Sequence, residues 1–212
     1  MLAYIVIAVA AYLLGSIPTG YLVARARGID IRAVGSGNIG ATNVFRMVGK
    51  TAGVFALVVD GLKGYAACTW LSDWVLTLLG GPTTSTELCR ILAGLTAVLG
   101  HNFTCWLKFK GGKGIATSAG VYFALAPLAA GIALVTGIVT AVLTRYVSIA
   151  SIAAAVALPT AVWFTKDSLF LGIVTTALGL LAIFKHRSNI QRLLNGTEQS
   201  LGKKSATQEA TK

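Results

Sequence analysis

Residues 35–46 read GSGNIGATNVFR. Glycines at 35, 37 and 40 let successive backbone N–H groups turn toward one point, which makes a nest for an anion. Ser36, Asn38, Thr42 and Asn43 add side-chain donors, and Arg46 can grip a phosphate with two parallel hydrogen bonds. The same glycines satisfy G-x-G-x-x-G, and Asp60 stands about 20 residues on, where a dinucleotide site wants its ribose-binding acid. Context rejects that reading. The acid belongs at the end of a strand in a soluble sheet, whereas Asp60 lies inside an apolar run. The plainer alternative is a polar turn followed by an arginine, and the density of donors argues against it.

A second segment, residues 100–117, reads GHNFTCWLKFKGGKGIAT. Gly111, Gly112 and Gly114 surround Lys113, and an apolar helix is expected to start directly after them. A glycine turn entering a helix N-terminus suits phosphate. It is not a Walker A loop, because Gly114 rather than Ser or Thr follows Lys113. Phe103, Trp106 and Phe109 repeat every third residue, as on an apolar or interfacial helix face. His101 reads equally as a structural group or as a support for this loop. The third segment, residues 186–198, reads HRSNIQRLLNGTE. Helical spacing puts His186, Asn189 and Arg192 on one face, opposite Ile190, Leu193 and Leu194. The alternative is a basic amphipathic helix lying on lipid headgroups.

Elements able to position these loops follow from composition. The chain is 55% hydrophobic and 12% charged, where soluble domains carry about 25% charge. This selects the membrane class and an all-α polytopic helical bundle. Apolar stretches at 2–24, 51–71, 88–106, 115–130, 131–143, 147–165 and 169–184 predict seven transmembrane helices. The fourth and fifth are short and scarcely separated, which leaves five as the fallback. Pro18, Pro127 and Pro159 fall within these stretches, where neighbouring helices can satisfy freed carbonyls. Many of the 24 glycines suit close helix packing.

Orientation follows from lysine and arginine. Alternate loops carry Arg25, Arg27, Arg32, Arg46 and Lys50; Lys108, Lys110 and Lys113; Arg145; and Lys185, Arg187, Arg192, Lys203 and Lys204. The opposite loops are balanced, with Asp73, Glu87, Arg90, Lys166 and Asp167. The N-terminus is therefore expected outside and the C-terminus in the cytoplasm, with all three polar segments on the cytoplasmic side. The start mimics a signal peptide, with Ala8-Val9-Ala10 as a cleavage site, but it lacks a basic leading region and reads as an uncleaved first helix. Residues 1–198 form one membrane-embedded domain in this reading, and 199–212 form a polar, disordered tail.

The net charge of +11 admits nucleic acid, anionic lipid or a small anionic substrate as partners. Nucleic acid is set aside, because the charges sit in short loops between apolar spans. Cys68, Cys89 and Cys105 read as small buried hydrophobes, and with two histidines no metal site is expected. Asp60 and Lys63 share a helical face inside the second span; they are either a structural ion pair or a support beneath the cationic loops.

Taken together, the segments resemble the PlsY-type acyl-phosphate:glycerol-3-phosphate acyltransferases of bacteria. The likeness rests on SGNIGATN from Ser36, GHNF and FKGGKGIAT from Gly100, HRSNI and RLLNGTE from His186, and the lesser DGLKG from Asp60; it reaches from the first helix to Glu198. Thr104 stands where the family often has Pro, and Ser188 where Glu is common. The resemblance implies a seven-helix bacterial inner-membrane enzyme working at the cytoplasmic interface. It would move a fatty acyl group from acyl phosphate to the 1-hydroxyl of glycerol 3-phosphate, with no cofactor, membrane lipid around it and no obligate protein partner. Ser36, Arg46, His186 and Asn189 are assigned to glycerol 3-phosphate. Asn38, Thr42, Gly112, Lys113 and Gly114 go to acyl phosphate, Lys113 touching both, with Asn43 and Glu198 also in the substrate site.

No Ser-His-Asp or Cys-His set is evident, and the H-x4-D pattern of other glycerolipid acyltransferases is absent, since Trp106 and Gln191 follow His101 and His186 by five. Carboxylates in the basic loops are few, chiefly Asp30 and Glu198. A phosphate oxygen of the donor is therefore the expected base. The rival classes are a transporter for a phosphorylated metabolite, which would show an internal repeat and a polar midplane site, and a lipid-headgroup binder tolerant of Lys113→Gln or Ser36→Ala.

Overall fold

Pro18 divides the first apolar run. It forces Ile17 into an extended backbone (φ −55°, ψ 113°), so the run folds as Leu2–Ser16 (α1) and Thr19–Arg25 (α2). A computed structural model describes residues 1–80 and 84–202, and among these there is no strand. Further helices are Ala41–Met47 (α3), Lys50–Ala66 (α4), Ser72–Leu79 (α5), Thr86–Asn102 (α6), Ile115–Leu125 (α7), Pro127–Thr144 (α8), Val147–Thr165 (α9), Leu169–Lys185 (α10) and Arg187–Leu194 (α11). A π-helical turn, Ala67–Leu71, runs α4 directly into α5.

Among the described residues, five stretches are long and apolar enough to cross a membrane: Leu2–Arg25, Lys50–Leu79, Thr86–Leu107, Pro127–Thr144 and Val147–Thr165. Leu169–Lys185 and Arg187–Leu194, bent by 49°, make a sixth if taken together. Helix α7 is apolar but has 11 residues, about 16 Å at 1.5 Å per residue, roughly half of the hydrocarbon core.

Two expected boundaries move. The break expected at 130/131 lies at Ala126, whose backbone leaves the helical region (φ −148°, ψ 69°) because Pro127 follows. Proline is well suited to open α8, since the first helical N–H has no partner to lose. The second helical stretch continues through Asp73, expected in a loop, to Leu79. There Asp73 pairs with Arg90 of α6 at 2.9 Å.

The chain forms two compact units, Met1–Ala130 and Gly131–Lys212. In the first, α1 packs on α6 and α4 on α7 through small residues. A side chain at Gly15 would strike the Ala97 backbone, and one at Gly100 the backbone of Tyr12 and Ser16. Gly120 lies against Gly61, and Gly64 against Thr117, in the same way. Ala3, Ile7, Ala11, Val75, Cys89 and Ala93 fill the space between α1, α5 and α6. In the second unit, α9 runs unbroken through Pro159. The Ala155 carbonyl, four residues before Pro159, faces Gly179 of α10, where no Cβ stands in the way. The Leu201 N–H donates to the Arg145 carbonyl at 2.7 Å. Most of the segment expected to form a disordered tail, 203–212 with Lys203 and Lys204, lies outside the described residues.

Candidate functional site

The first glycine loop is held from inside by one amide. Asn43, buried at the start of α3, accepts from the Ser36 N–H at 3.0 Å through Oδ1. Its Nδ2 donates to the carbonyls of Ile31, Val34 and Asn38 at 3.2, 3.1 and 2.9 Å. Both amide hydrogens are therefore committed to main chain. Asn43, expected to donate to a ligand, is instead the clasp of the loop. Positive φ at Gly35 (60°) and Gly37 (68°) bends the backbone around it. The Asn38 Oδ1 accepts from the Gly40 N–H at 2.8 Å, closing the turn into α3. This arrangement leaves Ser36 and Thr42 exposed, with Asn38 and Arg46 half-buried.

The second loop folds back on the end of α6. The N–H groups of Gly111 and Gly112 donate to the carbonyls of Asn102 and His101 at 3.2 and 3.0 Å. The Gly112 N–H, expected to face phosphate, is thus spent on the turn itself. That leaves Lys113 and the N–H groups that open α7 as the turn's candidates for an anion. Each glycine is required by what it touches. A side chain at Gly112 would enter the His101 ring, and one at Gly111 the His101 carbonyl. Gly114 has φ 82° and lies against the Asn102 side chain. Phe103, Trp106 and Phe109 are exposed, but the helix face expected to carry them does not form: α6 ends at Asn102, and Lys108 and Phe109 take positive φ (52° and 60°).

Beneath this turn lies a network the sequence reading left open. Lys63 Nζ stands 2.8 Å from Asp60 Oδ1 and 3.0 Å from His101 Nδ1, and donates to the Ile17 carbonyl at 2.9 Å. All three side chains are buried. Thr104, the departure from the family's Pro, donates to the Ser16 carbonyl at 2.5 Å. The α1–α2 break is thus tied to the second loop from two directions. Thr104→Val leaves the Ser16 carbonyl without this donor and should cost about 1–3 kcal/mol. Thermal unfolding in detergent is expected to show a lowered midpoint, restored by Thr104→Ser, with KM unchanged for each substrate.

In the second unit, His186 and Asn189 are buried and Arg192 is half-buried. The Ala182 carbonyl can only accept, so His186 Nδ1, 2.8 Å away, carries a proton. Asn189 Nδ2 donates to Glu198 Oε1 and Arg192 Nε to Glu198 Oε2, both at 2.7 Å. Glu198 therefore braces Asn189 and Arg192, a positioning task rather than contact with an anionic ligand. Burial pushes its carboxyl up, but the Asn189 and Arg192 bonds outweigh this and hold it below the ordinary glutamate range. A depressed carboxyl stabilises the fold above its unfolded pKa, and that contribution is lost as pH falls through the folded value. Hydrogen exchange at Thr197 and Glu198 should accordingly quicken as pH drops below about 4.5, relative to intrinsic rates. Glu198→Gln should remove that dependence.

The other basic-loop carboxylate is also committed. Arg32 grips Asp30 with two bonds, 2.9 and 2.7 Å, while stacking 4.9 Å over the Tyr21 ring. These bonds hold the Asp30 carboxyl down to about 2.

A family model described as glycerol-3-phosphate acyltransferase matches residues 5–196. The glycerol-3-phosphate acyltransferase of Geobacter metallireducens is 50% identical over 198 residues, covering 93% of this chain and 97% of the relative. That of Geotalea daltonii is 44% identical over 198 residues with the same coverage. Two crystal structures of PlsY, described as an integral membrane glycerol 3-phosphate acyltransferase, share the fold. Its glycerol 3-phosphate form gives a TM-score of 0.84 at 35% identity over 99% of both chains. Its lysophosphatidic acid form gives 0.81 at 36% identity over 94% of this chain and 95% of the other. With these neighbours, the apolar helices are those of a multi-pass membrane protein.

Proposed function

Because this chain belongs to the glycerol-3-phosphate acyltransferase family, of PlsY type, we propose that it acylates the 1-hydroxyl of glycerol 3-phosphate with acyl phosphate as donor. The products are 1-acylglycerol 3-phosphate and inorganic phosphate, and the step opens phospholipid synthesis. Lys113, set in a glycine turn at the head of α7, is the observation that carries this reading. Such a turn suits a phosphate, and both substrates bear one.

The reaction needs little covalent help. The hydroxyl oxygen attacks the acyl carbon, the bond from that carbon to the phosphate oxygen breaks, and the hydroxyl proton ends on phosphate. A phosphate with a pKa of about 6 is a competent base near neutrality. Asp30 and Glu198, each bound to an arginine and held low, are poor ones. The protein's share is then placement and charge. Ser36 and Arg46 serve glycerol 3-phosphate, as do His186 and Asn189; Asn38, Thr42, Lys113 and Gly114 serve the acyl phosphate. Gly112 acts by making room for the turn, Asn43 by holding the first loop and Glu198 by holding the third.

Counting α7 and α10 as spans gives seven, with the N-terminus outside and the basic loops in the cytoplasm, as the lysine and arginine bias favours. The enzyme is then a bacterial inner-membrane protein with a cytoplasmic site.

The test is a donor comparison with purified protein in lipid. Lysophosphatidate should form from glycerol 3-phosphate and palmitoyl phosphate, and not from palmitoyl-CoA. Product from the thioester alone would overturn the proposed donor. Neutralising Asp30 and Glu198 in turn should leave chemistry running, whereas a single essential carboxylate would refute the substrate-assisted route.

A further inference from the structure

Asp60, Lys63 and His101 are 2%, 4% and 6% exposed. Charges so deep in an apolar chain are costly unless each is paired and fully hydrogen-bonded. The Lys63 ammonium has three hydrogens and faces three acceptors: Asp60 Oδ1, the Ile17 carbonyl and His101 Nδ1. Asp60 Oδ1 also faces His101 Nδ1, but at 3.6 Å it is too far to accept a hydrogen bond from it, so Nδ1 meets the ammonium at 3.0 Å with its lone pair. The imidazole then carries its proton on Nε2. On that side of the ring stands Gly112: a Cβ built there would meet Nε2 first. The Gly112 N–H also donates to the His101 carbonyl at 3.0 Å. One residue thus supports the glycine turn through its ring and its main chain, and one ammonium sets the state of that ring.

We infer that Lys63, braced by Asp60, is a positioning residue that holds His101 as its Nε2–H tautomer and thereby seats the 111–114 turn for the phosphate of the acyl donor. This rests on the donor assigned under Proposed function. The tautomer matters electrostatically. With Nε2 protonated, the ring turns its positive N–H edge toward the phosphate turn. The opposite form would turn a lone pair there and repel an anion. It would also leave Lys63 one acceptor short in a buried place, a cost of order 1–3 kcal/mol. A purely structural ion pair has no need of His101 as its third acceptor, nor of a glycine against that ring.

Two readouts separate positioning from mere stability. The first is a split in kinetic constants. Asp60→Asn/Lys63→Met removes both charges together and leaves no unpaired ion to unfold the helix. In that variant the KM for palmitoyl phosphate should rise about tenfold or more, as misplacement of a binding loop does. The KM for glycerol 3-phosphate should stay within about threefold of wild type. A lower kcat with both KM values unchanged means fewer folded molecules, and it would overturn the inference.

The second readout needs no acyl donor. The chain has two histidines, so protein labelled with 15N-histidine shows two rings. His186, with Nδ1 against the Ala182 carbonyl, should appear as the Nδ1–H form, and His101 as the Nε2–H form. Loss of the Nε2–H signature in Asp60→Asn/Lys63→Met supports the inference; two Nδ1–H rings in the wild-type protein would overturn it. If the wild type fails to use acyl phosphate, the functional reading falls, and the nitrogen spectrum still decides the tautomer.

Discussion

Lys113→Ala is expected to lower the rate of acyl transfer about a hundred- to a thousandfold, the usual cost of removing one charge-stabilising donor from a preorganised site. The size follows from where Lys113 stands. Gly111 and Gly112 spend their N–H groups on the end of α6, so the turn's capacity for an anion lies in Lys113 and the opening of α7. No neighbour within the turn can substitute, since Gly111, Gly112 and Gly114 carry no side chain. Initial rates with palmitoyl phosphate and glycerol 3-phosphate measure the effect. Thermal unfolding should match wild type, because Lys113 is half-buried at a loop rather than in a helix core. A rate within about threefold of wild type would remove Lys113 from the phosphate site.

Asn43→Ala is expected to damage stability and activity together. One side chain holds the Ser36 N–H and three carbonyls, those of Ile31, Val34 and Asn38. Leaving buried polar groups without partners costs about 1–3 kcal/mol each. Part of the loop will relax toward water, so a total of about 3–5 kcal/mol is the reasonable expectation. Turnover should fall at least about a hundredfold, since Ser36, Asn38 and Arg46 all depend on this loop for their placement. Asn43→Asp keeps the shape and the acceptor for Ser36 but sets a carboxylate against three carbonyl oxygens. It should be as harmful as alanine. A residue that served only as a donor to substrate would give a different pattern, with activity lost and the unfolding midpoint unmoved.

The loops were legible in the sequence because polar side chains are scarce there. Glycines, amides and cations crowded into gaps between apolar runs have few uses. What the pattern could not reveal was direction. Asn43 and Ser36 read alike as donors, yet one is turned into the loop and the other out of it. The glycines of the second loop read as a nest, but Gly112 is a glycine because His101 occupies the space its side chain would take. The Asp60–Lys63 pair was legible as two charges on one helix face, but its reach was not: Lys63 also donates to the Ile17 carbonyl beside the Pro18 break, which only the packing of α1, α4 and α6 brings within reach.

Helix boundaries showed the same limit. Hydropathy placed the apolar runs but misjudged Ala126, where the following proline rather than polarity ends α7. It also ended the second stretch at Leu71, whereas Asp73 stays helical by reaching Arg90. Thr104 is an instructive departure from the family pattern. A proline has no hydroxyl to give the Ser16 carbonyl, so this chain secures the same junction with a side-chain bond.

Acyl transfer of this kind couples consumption of the donor to consumption of the acceptor. Purified protein in lipid, supplied with palmitoyl phosphate, should release inorganic phosphate only when glycerol 3-phosphate is present. It should then form lysophosphatidate one-for-one with that phosphate, and Lys113→Ala should suppress both signals equally. Phosphate release without glycerol 3-phosphate, or lysophosphatidate formed without phosphate, would contradict it.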